Sequence, residues 1–287
     1  MHYAGDMSDD TTGVLPVRGT RLYYEIRGAG PPLLILPGGD GDAGRSRDLV
    51  DQLTDTYTVI TYDRRGLSRS TMDDPARPAT LDTHADDAHL LLAEVADEPA
   101  RVLGSSFGGH IGLVLTARHP EQVHTLVAHE PGTPVLLPGP ERTAMERAIS
   151  DLVEIHREQG IASAMSALAA LVGLDLAAMV TEPGLTPPHE SPEQRAANLD
   201  FLLGNDMPAL LHCTMTIDDI VAVRTGPARG VAAAGRVTPR AAFPRRCAAE
   251  LAVLLGSEVA EFPGGHNGNS THPRAFATRL RAVLATT

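Results

Sequence analysis

Residues 101–110 read RVLGSSFGGH, with two adjacent serines between glycines directly after a short apolar run. The pentapeptide Gly104-Ser105-Ser106-Phe107-Gly108 has the form G-x-S-x-G, with Ser106 at its centre. A serine on a sharp strand-to-helix turn presents its hydroxyl for attack on a carbonyl carbon. The central backbone of such a turn is strained, so small residues are needed on both sides. Gly104 and Gly108 meet that need, and Gly109 lets the following helix lie close. Ser105 is one residue early, at the strand end, and is read as packing. A serine hydroxyl is a weak nucleophile on its own. The chemistry therefore also requires a base, an acid to orient that base, and hydrogen-bond donors for the oxyanion.

Ser106 can be placed in this way only if a buried strand ends before it and a helix begins after it. Residues 100–106 (ARVLGSS) read as that strand and residues 110–120 (HIGLVLTARHP) as that helix. The neighbouring segments continue the rhythm. Residues 20–28 (TRLYYEIRG) alternate like a half-buried strand. Residues 32–39 (PLLILPGG) and 57–63 (YTVITYD) are runs typical of strands covered on both faces. Residues 80–95 carry Leu90, Leu91, Leu92 and Val95 near helical spacing, and 124–131 (HTLVAHEP) return to strand. The alternation predicts an α/β fold with a mostly parallel, doubly wound central sheet.

From Gly132 to Thr225 helical patterns follow one another across Pro- and Gly-rich joints such as 181–192, and no strand is read there. Strand-like runs resume at 228–235 (ARGVAAAG) and 257–265 (SEVAEFPGG), with a helix between them and a last helix from His272. The expected organisation is a flexible tail over 1–12, a core over 13–131 and 226–287, and an inserted all-helical cap over 132–225.

Composition narrows the partners. The formal net charge is −12, and all 24 basic residues are Arg. This balance argues against nucleic acid, whose phosphates require basic patches. Trp is absent and aromatic residues make up 3%, leaving little to stack on bases or sugars. No run reaches the about eighteen apolar residues of a membrane span, and the polar, acidic N-terminus does not read as a signal peptide. Cys213 and Cys247 are far apart and outside any ligand spacing. The expectation is a cytoplasmic protein without a structural disulfide, with a small-molecule substrate, no membrane association, and a homodimer as one option. No metal or cofactor is implied: no His/Cys cluster has ligand spacing, and the glycines at 38–41 lack the Lys and Ser/Thr of a P-loop.

With the serine turn in its strand and helix, the chain resembles the α/β-hydrolase fold family over nearly its whole length. Residues 62–70 (YDRRGLSRS) are similar to the D-x-R-G-x-G-x-S stretch of that family, although Ser68 stands where its second glycine would be. This segment is taken as a structural turn. The resemblance implies two oxyanion donors, the backbone N–H of Phe107 and that of Gly39 in the loop Pro37-Gly38-Gly39-Asp40-Gly41. It also implies His266 as the base, on the loop after the last strand. His272 is expected to cap the final helix or face solvent, and His110 to lie on a helix surface or in packing. The orienting acid usually follows the seventh strand of the family, but Val237 and Thr238 stand there, and no Asp or Glu occurs between Asp219 and Glu250. The family has a second solution, an acid at the end of the sixth strand, and Glu130 occupies that place. A dyad without an acid is the remaining option.

These parts imply hydrolysis of a carboxylic ester, lactone or thioester through an acyl-enzyme. A serine rather than an aspartate at the turn argues against epoxide and haloalkane opening. Met165, Leu168, Leu171, Met179, Phe201, Leu202, Leu210 and Met215 form the expected inner face of the helical insertion, consistent with a small to medium apolar substrate. Carbon–carbon bond hydrolysis and acyl transfer use the same parts. A non-hydrolytic member, a biosynthetic cyclase or a ligand-binding protein, is the alternative that the missing acid favours.

Overall fold

The computed structural model describes residues 10–39, 41–175, 177–187 and 189–286. Its strands are β1 (Thr11–Val17), β2 (Thr20–Arg27), β3 (Pro32–Leu36), β4 (Thr58–Tyr62), β5 (Thr71–Met72), β6 (Ala100–Ser105), β7 (Val123–His129), β8 (Arg229–Gly235) and β9 (Ala260–Phe262). They form one sheet in the order β1-β2-β4-β3-β6-β7-β8-β9, with β5 beside β2. Pairing is antiparallel from β1 to β4 and parallel from β4 through β9. All five residues of β3 are buried, as expected for a strand covered on both faces.

The helices are α1 (Arg47–Asp51), α2 (Leu81–Val95), α3 (Phe107–Arg118), α4 (Gly139–Gln159), α5 (Ile161–Leu171), α6 (Pro192–Phe201), α7 (Met207–Leu211), α8 (Ile217–Thr225), α9 (Phe243–Leu255), α10 (Gly268–Thr271) and α11 (Pro273–Leu284). The period of two along a strand divides the core into two layers. Leu34, Leu36 and Val102 pack with Leu91 of α2, Ile111 of α3 and Leu251 of α9. Leu33, Ile35 and Leu103 face the other way, toward Leu49 of α1 and Phe276 and Leu280 of α11. This is the doubly wound arrangement that the alternation predicts.

Several boundaries differ from the expectation. Thr11 and Thr12, assigned to the tail, open β1, while residues 1–9 lie outside the described residues. The strand read over 32–39 stops at Leu36, because Pro37 has no N–H to continue the ladder. The run 257–265 yields only Ala260–Phe262; Pro263 again lacks a donor, and Gly264 turns to φ 75°. Helix α3 begins at Phe107, three residues earlier than its apolar pattern suggests. Ser68, in place of the family's second glycine, still adopts the left-handed backbone that position demands, with φ 45°.

The described part of 132–225 contains α4 to α8 and no strand, and a π-helical turn (Leu202–Asp206) joins α6 to α7. Helix α8 packs against α3 and α9 and so adds to a sheet-covering layer, whereas α4 packs on α5 and α7. Of the expected inner apolar residues, Leu202, Leu210 and Met215 are buried, but Met179 is 44% exposed. Met179 lies in the irregular stretch between α5 and α6, where no helical period turns it inward.

The core carries two buried histidines whose neutrality has a consequence for stability. Burial pushes His129 down to about 4 and His110 down to about 3. Each stays neutral in the fold but takes a proton when unfolded below roughly pH 6.5, so stability is full above that pH and falls as pH drops toward 4. His129→Leu, flanked by Phe262 and Phe276, is expected to flatten the pH slope of unfolding free energy between pH 6.5 and 5. One such group contributes up to about 1.4 kcal/mol per pH unit. Urea melts at several pH values measure this, and an unchanged slope would show that His129 does not titrate on unfolding.

Candidate active site

Strand β6 delivers Ser106 to the N-terminus of α3 with φ 53° and ψ −117°, a backbone conformation that non-glycine residues rarely adopt. The crowding explains the glycines. A Cβ on Gly104 would overlap the Gly108 carbonyl oxygen, and one on Gly108 would overlap that of Leu36. Ser106 N–H donates to the His129 carbonyl at 2.9 Å, which ties the turn to the end of β7.

The residue that follows that strand is Glu130, also in a left-handed conformation, with φ 48°. Its N–H donates to the Ala233 carbonyl at 2.8 Å, so the turned backbone remains paired to β8. The carboxylate is fully buried. Gly235 N–H donates to its Oε1 at 2.8 Å, and His266 Nδ1 lies 2.7 Å from its Oε2. On its other side, His266 Nε2 lies 3.0 Å from Ser106 Oγ. Burial is the largest single influence and raises the Glu130 carboxyl, but the hydrogen bond from His266 and the other neighbouring groups together outweigh it, and the group is held at about 2. An ionised carboxylate only accepts, so His266 carries its proton on Nδ1 and presents Nε2 as an acceptor to the serine hydroxyl.

The loop after β8 cannot supply a second acid. Val237 is 71% exposed, and Thr238 is buried with its hydroxyl facing Gly265. Neither side chain bears a charge for an imidazolium to meet.

Phe107 is the first residue of α3, where the backbone N–H has no partner within the helix. In the loop after β3, Gly38 lies against the serine turn and Gly39 against Leu202, and Gly41 N–H donates to the Gly38 carbonyl at 3.1 Å. Ser106, His266, Phe107 and Gly39 all border one cavity of about 760 Å³. Met165, Leu168 and Leu202 of the expected apolar set also line it, together with Met207, which sequence reasoning missed. Leu171, Met179, Phe201, Leu210 and Met215 do not. Met207 was legible in principle, because it stands in the apolar run around α7.

His110 is wholly buried in α3, with Nε2 3.1 Å from Cys213 Sγ and 3.3 Å from Thr133 Oγ1. It serves packing, so the option of a helix-surface residue is corrected. His272 precedes α11 without capping it through its side chain, and its Nδ1 meets Thr271 Oγ1 at 2.9 Å.

The sheet order and the serine turn define an α/β hydrolase. Residues 31–198 match the family described as alpha/beta hydrolase fold, and the chain belongs to that family. It is 38% identical over 280 residues to the uncharacterized hydrolase YraK of Bacillus subtilis (strain 168), covering 95% of each chain. It is also 39% identical over 105 residues to a putative carbamate hydrolase, RutD, of Azorhizobium caulinodans, 37% of this chain and 39% of that one. Among solved structures, an esterase from Exiguobacterium antarcticum superimposes with a TM-score of 0.73 at 20% identity, over 96% of this chain and 99% of that one. No helix among the described residues is long and apolar enough to cross a membrane.

Glu130→Gln replaces the acceptor of the Nδ1–H with an amide that can donate instead, favouring the wrong imidazole tautomer. Modification of Ser106 by a fluorophosphonate is expected to slow by about 100-fold or more. A loss under about threefold would mean that Glu130 does not orient His266.

Proposed function

We propose that this α/β-fold hydrolase is a serine hydrolase that cleaves carboxylic esters, lactones or thioesters with a small to medium apolar acyl part. The observation that carries the reading is the continuous hydrogen-bonded line Ser106–His266–Glu130, opening onto the cavity at the N-terminus of α3.

In this reading Ser106 Oγ attacks the carbonyl carbon while His266 Nε2 takes the hydroxyl proton. Glu130 stays ionised and stabilises the imidazolium. The N–H groups of Phe107 and Gly39 receive the oxyanion of the tetrahedral intermediate. Collapse breaks the bond to the leaving oxygen or sulfur, which takes the proton from His266. Water then attacks the acyl-enzyme with His266 again as base, and the acid is released with Ser106 restored.

The cavity volume falls within the range of about 300–1,000 Å³ usual for small-molecule sites. Met165, Leu168, Leu202 and Met207 give it an apolar wall suited to an acyl chain. The esterase likeness and the carbamate in the name of the partial relative both concern carbonyl substrates, which is the bond type this arrangement attacks.

Intact mass during turnover of p-nitrophenyl esters of graded chain length tests the reading. The wild-type protein is expected to hydrolyse them and to show a transient adduct of one acyl group, while Ser106→Ala shows neither. Hydrolysis that survives Ser106→Ala would contradict it. A folded wild type that is inert to esters, lactones and thioesters and to fluorophosphonate alike would point to the non-hydrolytic alternative.

A further inference from the structure

A second buried polar cluster lies behind the first. Arg64, His84 and Asp206 are each 0% exposed. They converge from the turn after β4, from α2 and from the end of the π-helical turn between α6 and α7. Arg64 Nη2 donates to Asp206 Oδ2 at 2.8 Å and also to the Gly39 carbonyl oxygen. The guanidinium carbon lies 4.8 Å from the centroid of the Phe107 ring, which the His84 ring meets edge-on at 5.6 Å. With its proton on Nε2, His84 donates to Asp206 Oδ1 at 3.3 Å.

One guanidinium thus touches both Gly39 and Phe107, the residues that the acyl-enzyme reading assigns to the oxyanion. The geometry points to Arg64 as a positioning residue. Anchored by Asp206, it fixes the Gly39 carbonyl and the Phe107 ring, and so holds the two backbone N–H groups of the oxyanion site in register. This inference rests on the acyl-enzyme reading of Ser106.

Three physical points support it. First, a buried ion pair is a poor device for stability, because desolvation offsets most of the attraction and apolar replacements are often neutral or better. Its presence beneath the site calls for another use. Second, Gly39 has no side chain of its own to fix its peptide, so its carbonyl takes its hold from Arg64. Third, the partner carboxylate comes from a π-helical turn, a distortion common at functional sites, and the same turn lays Leu202 against Gly39, where a Cβ would overlap Leu202 Cδ1. The guanidinium offers a planar fork of donors that a lysine lacks.

The test compares the wild type with Arg64→Met/Asp206→Met, which removes both buried charges together, and with Arg64→Lys, which keeps the charge but loses the fork. Four quantities are read: kcat and KM on a hydrolysed ester, the inhibition constant of a trifluoromethyl ketone, and the rate of fluorophosphonate labelling. The double variant is expected to lose about 10- to 100-fold in kcat with KM within threefold, and to bind the ketone more weakly by a similar factor. Arg64→Lys should recover part of each loss.

A folded double variant with wild-type kcat and ketone affinity, or one whose loss is confined to KM, would overturn the inference. Should the double variant not fold, Arg64→Lys decides, and wild-type values in it would overturn the inference equally. Labelling of the wild type at Ser106 is the control. Its absence would sink the acyl-enzyme reading itself, whereas normal labelling with unaffected variants removes only the role of Arg64.

Discussion

Keeping a carboxylate ionised inside the protein is costly, because burial removes the water that would otherwise solvate it; the penalty is several kcal/mol per ion. Glu130 meets that cost with one N–H from Gly235 and one from His266, and both bonds are short. The rest of the site follows from this constraint. The backbone of Glu130 must turn to φ 48° to aim its side chain across β8, and β8 must end at Gly235 so that a free N–H is available. The loop after β9 must bring His266 back over the sheet. Once the carboxylate is held, the imidazole has one tautomer and one orientation, and its free nitrogen faces Ser106.

The site also stores strain. Two of the three non-glycine residues with positive φ among the described residues are Ser106 and Glu130, at the ends of adjacent parallel strands. They are joined through His129, whose carbonyl accepts from Ser106 N–H. Such conformations cost about 1–3 kcal/mol each and persist only where the surroundings over-determine them. Here the surroundings are the central parallel strands, buried on both faces, with helices α3 and α9 on one side and α11 on the other. The fold matters to the chemistry as a rigid frame that keeps two strained strand ends side by side.

Much of this was legible in the sequence, for identifiable reasons. The turn at Ser106 announces itself because sterics demand small residues at fixed offsets. The parallel strands announce themselves as uninterrupted apolar runs. Glu130 came from the family resemblance, which implies an acid at that strand end once the loop after β8 offers none. Less legible were features that depend on tertiary partners. Strand β1 has a mixed pattern and forms by pairing with β2. Strand β9 is cut short by Pro263 and Gly264. The inward side of the helical segment was only partly readable, because Met179 stands outside a helix and Leu210 and Met215 pack into the core instead of the cavity. Arg64 and Asp206 are 142 residues apart in the chain. Asp206 follows Leu-Leu-Gly-Asn, a local pattern that does not announce the pair.

The most direct measurement of the central claim is the proton spectrum of the His266–Glu130 bond. A strong Nδ1–H···carboxylate hydrogen bond in a buried site gives a resonance far downfield of the amide envelope. The account predicts one such resonance in the wild type near neutral pH, lost in His266→Gln and in Glu130→Gln, and retained in Ser106→Ala. A wild type without this resonance, or a Glu130→Gln variant that keeps it, would contradict the assignment of Glu130 as the group that orients His266.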